Sequence, residues 1–223
     1  GQEKSPPQVI SIGGRFGFND CGETANTQIA FFDYQPAPLI CEIRNYRANK
    51  GVDSTGSFRG AKIGTVVEFE GGYLSIDGLT GAAFDEQGKK IKDFAKDQQA
   101  ESEGVLHAAN FIEAVRNKSS DNLNADAQVG QASANCCHMA NISHRLGKQL
   151  SPEAIAQSLR SNKELTDAFE RCQAYLVENG IDLASTPATL GPSLNLDQER
   201  EEFVGPFAAE ANQLSRRSGR EPF

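Results

Sequence analysis

No stretch of the sequence approaches the roughly eighteen consecutive apolar residues that a membrane-spanning helix needs, which excludes such a span. Nor does a basic stripe stand out. Lys and Arg number 22 against 30 Asp and Glu, for a formal charge of −8, and that balance argues against a nucleic-acid partner. There are only five cysteines, at 21, 41, 136, 137 and 172. Their odd count and the adjacent Cys136–Cys137 pair fit neither a disulfide framework nor a zinc-ligand spacing. They read as reduced, mostly buried thiols in a cytosol-like compartment, and no metal site is expected. No secretory signal follows Gly1, so a cytoplasmic location is expected. A leading Gly in place of Met is what a cleaved tag leaves. Residues 1–7 therefore read as a tag remnant and linker, and the chain as a piece of something longer.

The common catalytic signatures are missing too. There is no H-E-x-x-H, G-x-S-x-G or C-x-x-C. The glycines Gly13, Gly14 and Gly17 follow a strand, but their spacing is not G-x-G-x-x-G and no helix follows, as a dinucleotide-binding unit requires. His107 and His138 fall inside expected helices and read as packed or surface residues. His138 and His144 are six apart, on different faces of an ideal helix, which disfavours a metal pair. Asn117-Lys118-Ser119 and Asn141-Ile142-Ser143 match the N-glycosylation pattern by accident, in the absence of a secretory signal.

Hydrophobic residues make up 38% of the 223, enough for a core, and their period changes along the chain. Residues 8–94 read as strands: QVISIGG, TQIAFFDY, PLICEIRNY, AKIGTVVEFE, GYLSIDG, and a hairpin in AAFDEQGKKIKDF with Glu86-Gln87-Gly88 at its tip. After a charged linker near Lys96–Glu103 the period becomes helical through 103–217. One helix covers VLHAANFIEAVRN. The next starts after Asn124 or Asp126 and runs to Arg145, with Gly147 as a C-cap. A third begins at SPEAIAQSL, with Ser151 as N-cap and Pro152 at N1, and a fourth ends at Gly180. A last helix is expected over 197–217, interrupted at Gly205-Pro206. Strands followed by helices give the α+β class: a large, mainly antiparallel sheet with helices on one face, as a single domain over 8–223. An apolar second face would need a partner to cover it.

The segment VISIGGRFGFNDCGETANT is the most polar loop in the strand region. Arg15, Asp20, Glu23 and Asn26 follow one strand and precede another. They either hold the loop together or form a rim that binds a hydroxylated or carboxylated ligand, since Arg presents a fork to carboxylates and acids accept from hydroxyls. Glu42 and Arg44 alternate on a later strand, where charges are usually solvated but could floor a polar pocket.

Several segments taken together carry a resemblance: PPQVISIGGRFGFNDCGETANT, GTVVEFEGGYLSI, HAANFIEAVRN, NADAQVGQASANCCHMANISHRLGK and LGPSLNLDQEREEFVGPFAAEANQLSRRSGREPF. From about Pro6 to Phe223 the chain resembles the C-terminal domain of Gfo/Idh/MocA-type NAD(P)-dependent oxidoreductases of the planctomycete-type bacterial branch. The resemblance implies a substrate-binding and oligomerisation domain. A Rossmann domain would precede it, NAD or NADP would be held there and not by this chain, and homo-oligomers would form through the open sheet face. The substrate implied is a sugar or polyol-like molecule, bound by Arg15, Asp20, Glu23, Asn26 and Arg44. Glu3-Lys4-Ser5-Pro6 superficially matches the family's Glu-Lys-Pro motif, but with an inserted Ser and in the wrong place, so Lys4 does not inherit the catalytic lysine and no catalytic residue is assigned. Two alternatives stand beside this reading: a stand-alone, non-enzymatic binding or assembly module, and a part of an NAD-using glycosidase-like relative.

Overall fold

The computed structural model describes residues 4–78, 80–94 and 102–216. In chain order the strands of the first half are β1 (Gln8–Gly14), β2 (Thr27–Phe32), β3 (Leu39–Ile43), β4 (Gly64–Phe69), β5 (Gly72–Asp77), β6 (Thr80–Asp85) and β7 (Lys90–Phe94). Helices α1 (Glu103–Asn117) and α2 (Ala127–Arg145) follow, then β8 (Lys148–Leu150), α3 (Pro152–Leu159) and α4 (Lys163–Glu178). The chain continues through β9 (Ala188–Leu190), β10 (Leu194–Asp197), β11 (Glu202–Val204) and α5 (Ala208–Ser215). The class is α+β, and every strand pairing among the described residues is antiparallel. The chain divides into two units, Gly1–Asn45 with Ala127–Phe223, and Tyr46–Asp126.

The first unit is built on a sheet ordered β11-β10-β1-β2-β3, with β9 pairing a second stretch of β1 and β8 pairing β9. Side chains alternate across it. Val9, Ala30 and Phe32 point to one face, where they pack with Met139, Ala140 and Ile142 of α2 and with Leu194, Phe203 and Ala211. Each such large side chain taken from water contributes about 1.5–3 kcal/mol. Ile12, Ile29 and Glu42 share the other face by register, and there Arg171 of α4 reaches the Glu42 carboxylate at 2.6 Å. Helix cover thus extends to both faces of this sheet.

The second unit holds the four-stranded sheet β4-β5-β6-β7 and α1. Gly88 adopts φ 76° at the β6–β7 tip, as the Glu86-Gln87-Gly88 turn requires. On one face Tyr73 stacks with Phe84 at 4.8 Å between centroids, and the Arg59 guanidinium lies 4.2 Å from the Tyr73 ring centroid.

Local signals place the helix ends. The Ser151 hydroxyl accepts the Ala154 N–H at 3.3 Å with Pro152 at the first helical position. The Asn162 carboxamide does the same for Leu165 at 2.9 Å. Gly147 closes α2 by donating to the His144 carbonyl at 3.0 Å. Glycine is needed there for a further reason: a Cβ would lie 2.6 Å from the Thr189 side chain and 2.7 Å from the Leu190 carbonyl.

The main correction lies in the C-terminal half. The helix expected over 197–217 is instead the β10–β11 hairpin followed by the short α5. The Asp197 carboxylate accepts the N–H groups of Glu199 and Arg200 at 3.0 and 3.1 Å, which closes a turn where a helix would have continued. Strands β8 to β11 span three or four residues each, too few for a two-residue period to show. Arg217, and most of the linker expected near Lys96–Glu103, lie outside the described residues. The thiols are also more open than expected: Cys21, Cys41 and Cys137 are exposed and only Cys172 is buried. Cys21 sits in an exposed loop, Cys41 on the edge strand β3 and Cys137 on an outward side of α2.

His144 carries a pH-dependent cost. Its Nδ1 is buried without a hydrogen-bond partner among the described residues, and burial pulls its pKa below the ordinary 6.5. The unfolded chain then binds the proton more readily. Stability from the neutral ring is present above pH 6.5 and is lost as pH falls toward the lowered value. Thermal melts are expected to show a steeper loss between neutral and mildly acidic pH in the native protein than in His144→Gln.

Candidate functional site

The loop after β1 closes on itself. The Arg15 Nε donates to Asp20 Oδ1 at 3.0 Å, Nη2 donates to the same oxygen, and Nη1 donates to the Thr24 carbonyl at 3.2 Å. Gly22 presses against the guanidinium, so closely that a Cβ there would come within 2.4 Å of Arg15 Cζ. Asp20 also accepts the Gly22 N–H at 2.9 Å. The bond from Arg15 first, and then that of Gly22, holds its carboxyl below the usual range. Asn26 accepts the Phe16 N–H at 3.1 Å and donates to the Phe16 carbonyl at 2.9 Å. Arg15, Asp20 and Asn26 are therefore brought together, each bonded within the loop, while Glu23 is exposed beside them. Gly13, the first glycine of this stretch, faces the β2 backbone, where a Cβ would sit 2.4 Å from the Thr27 carbonyl oxygen. The segment leads into antiparallel β2, whereas a dinucleotide cradle places a helix after the glycine turn.

Arg44 belongs to a different group. It pairs with Glu42, which also takes Arg171, and its guanidinium lies 5.3 Å from the Tyr175 ring centroid. The Glu42 carboxylate of β3 thus bridges two guanidiniums, Arg44 just after that strand and Arg171 of α4, all partly buried. Beside them burial, and then the Glu42 charge, pushes the Cys172 thiol up to about 12, a direction that disfavours the thiolate.

A third location has polar groups to spare. His138, Asn141 and Arg145 are spaced three and four residues apart and so share one face of α2. They line a groove of about 210 Å³ floored by Met139, Ile142, Leu196, Phe203 and Leu214 from α2, β10, β11 and α5. Their side chains make no hydrogen bond or ion pair with other described residues. The other polar residues at the groove are engaged, Ser215 by donating to the Asn212 carbonyl at 3.0 Å. Asn135 donates to Ser5 at 2.8 Å, and the Glu201 carboxylate accepts from Gln131 at 3.0 and 2.8 Å. Glu201 also holds a left-handed φ of 53°. An imidazole, a carboxamide and a guanidinium above an apolar floor can hydrogen-bond hydroxyl or carboxylate oxygens while the floor takes a ring's C–H face. Among the described residues no group of three His, Cys, Asp or Glu is placed to hold a metal ion. The three-and-four spacing of 138, 141 and 145 is legible in the sequence. That β10, β11 and α5 wall it into a groove is not.

No family model matches the chain. No curated protein matches it either. Among solved structures it is similar to a candidate oxidoreductase from Thermotoga maritima, at 12% identity and a TM-score of 0.39, over 62% of this chain and 39% of that one. The chain thus spans about two fifths of that protein's length, and a likeness at this score decides neither fold nor function. No helix among the described residues is long and apolar enough to cross a membrane.

Proposed function

We propose that this chain is the substrate-binding and assembly portion of an NAD(P)-dependent oxidoreductase of the Gfo/Idh/MocA type, and that the α2 groove receives a sugar or polyol-like substrate. The observation that carries the choice of site is that His138, Asn141 and Arg145, uncommitted to other described residues, line one groove over an apolar floor, with His138 and Arg145 exposed. Arg15, Asp20, Asn26 and Arg44 are bonded to neighbours within the chain. The all-antiparallel pairing supports a division of labour. NAD or NADP would be held by a Rossmann domain outside this chain, while the groove orients the substrate's hydroxyls.

Glucose, sorbitol and gluconate titrated into the labelled chain test this by amide NMR. Shifts centred on α2, β11 and α5 are expected, strongest for gluconate. A guanidinium–carboxylate bond contributes about 1.5–3 kcal/mol, so Arg145→Ala should weaken gluconate by about tenfold or more. Shifts elsewhere, or none with any of the three, would remove the groove from the account. Tight binding of NAD⁺ by this chain alone would remove the division of labour.

A further inference from the structure

The two flanks of α2 face different neighbours. His138, Ile142 and Arg145 line the groove beside β10 and β11. The sheet runs β11-β10-β1-β2-β3, so the opposite flank lies toward β2 and β3. Ala140 marks that flank, with its carbonyl oxygen 3.5 Å from Gln28 Nε2 of β2. Cys137 precedes Ala140 by three residues and shares its side of the helix. Across from it is Cys41 of β3. Cys41 is opposite Ala30 in register, and Ala30 packs with Met139 and Ala140, so Cys41 points to the α2 side of the sheet. Its neighbour Glu42 points to the other side, where it meets Arg171. Partial burial first, and then the charges of Cys137 and Cys136, hold the Cys41 thiol above its ordinary value, which sets three sulfurs near one another.

We propose that Cys41 and Cys137 are a peroxide-sensitive pair whose reversible disulfide ties the edge strand β3 to α2. Both residues are exposed. Cys136 is spent elsewhere: its sulfur lies 3.8 Å from the Tyr34 hydroxyl and donates to the Ala132 carbonyl at 3.6 Å. Adjacent side chains on a helix do not face each other, so Cys136 and Cys137 do not pair while α2 stays helical. A disulfide needs Cα atoms within about 7 Å. Among the described residues β3 pairs on one side only, with β2, and that freedom lets it close on the helix. The chemistry balances with one peroxide. Its O–O bond oxidises the Cys137 thiol to a sulfenic acid and releases one water; the Cys41 sulfur then attacks the sulfenic sulfur, the S–O bond breaks, and a second water leaves with the Cys41 proton. Thiol exchange reverses the bond. Both cysteines belong to the first unit, on either side of the segment that makes the second, so the bond clasps the two chain crossings between them. The pair stands independently of the substrate reading.

Hydrogen peroxide added to dilute protein tests it, followed by alkylation, digestion and peptide mapping by mass spectrometry. In the native chain two of the five thiols should become resistant to alkylation, with Cys41 and Cys137 in one linked peptide that dithiothreitol releases. Cys136→Ser should keep that peptide. Cys41→Ser should lose it and leave a sulfenic acid on Cys137 that dimedone traps. The mapping of the native chain needs no variant, and circular dichroism checks that the serine variants fold. A native chain that keeps all its thiols overturns the proposal. So do a bond through Cys21 or Cys136, disulfide-linked dimers in place of the internal link, or a Cys137 that passes to sulfinic acid with Cys41 still free.

Discussion

Replacing Gly191 with alanine is expected to lower stability by about 3 kcal/mol, the upper end of what forced overpacking usually costs. A Cβ at 191 would lie 2.3 Å from Ser143 Oγ, 2.5 Å from its carbonyl oxygen and 2.6 Å from its carbonyl carbon. Two of those three atoms are helix backbone, which cannot rotate away. The surrounding bonds make the clash worse. Gly191 donates to the Ser11 carbonyl at 2.8 Å, Ser143 Oγ accepts the Ser11 N–H at 3.2 Å, and the same hydroxyl donates to the Pro192 carbonyl at 2.9 Å. Pushing α2 outward to admit a methyl group would stretch the two bonds that Ser143 makes and loosen the layer formed by Val9, Ala30 and Met139. Gly130 provides the opposite sign. It lies inside α2 with nothing within 4 Å of its added Cβ, so Gly130→Ala should raise stability by up to about 1 kcal/mol through helix propensity. Urea midpoints at constant slope measure both. A Gly191→Ala midpoint equal to the native one would show that α2 does not pack this closely on β1.

Glu42→Ala is expected to cost about 2–3 kcal/mol, somewhat under the range for breaking a fully buried pair because the cluster is partly open. The carboxylate bridges Arg44 and Arg171, both of which are also partly covered. Without it two partly buried guanidiniums lose the carboxylate that both donate to. Arg44 keeps its place above the Tyr175 ring and so cannot swing freely into water. Arg171→Met in the Glu42→Ala background should recover part of the loss, since it removes one of two neighbouring like charges while keeping the apolar stem. Equal midpoints for the native and Glu42→Ala proteins would mean the cluster is solvated and contributes nothing.

Much of the local structure was legible in the sequence. The residues QVISIGG form β1 from end to end, and the Ser151-Pro152 signal starts α3 where it should, because strand alternation and capping are decided by neighbours within a few residues. The same holds for the β6–β7 tip, where Gly88 supplies a backbone angle that few other residues tolerate. Strands β8 to β11 were not legible. Each is set by pairing with a partner far away in sequence, and Asp197 could equally have begun a helix until its carboxylate capped a turn.

The candidate site divides along the same line. Composition and spacing by themselves determined that the chain is α+β and that the loop after β1 is crowded with charge; the polar face of α2 at 138, 141 and 145 was not read from them. Only the tertiary structure decided which polar groups are spent and which are spare. Arg15 and Arg44 look as available as Arg145 in a linear sequence. Folding gives the first two carboxylate partners and leaves the third at a groove, because hydrogen-bond satisfaction depends on distances between residues that the order of letters does not encode.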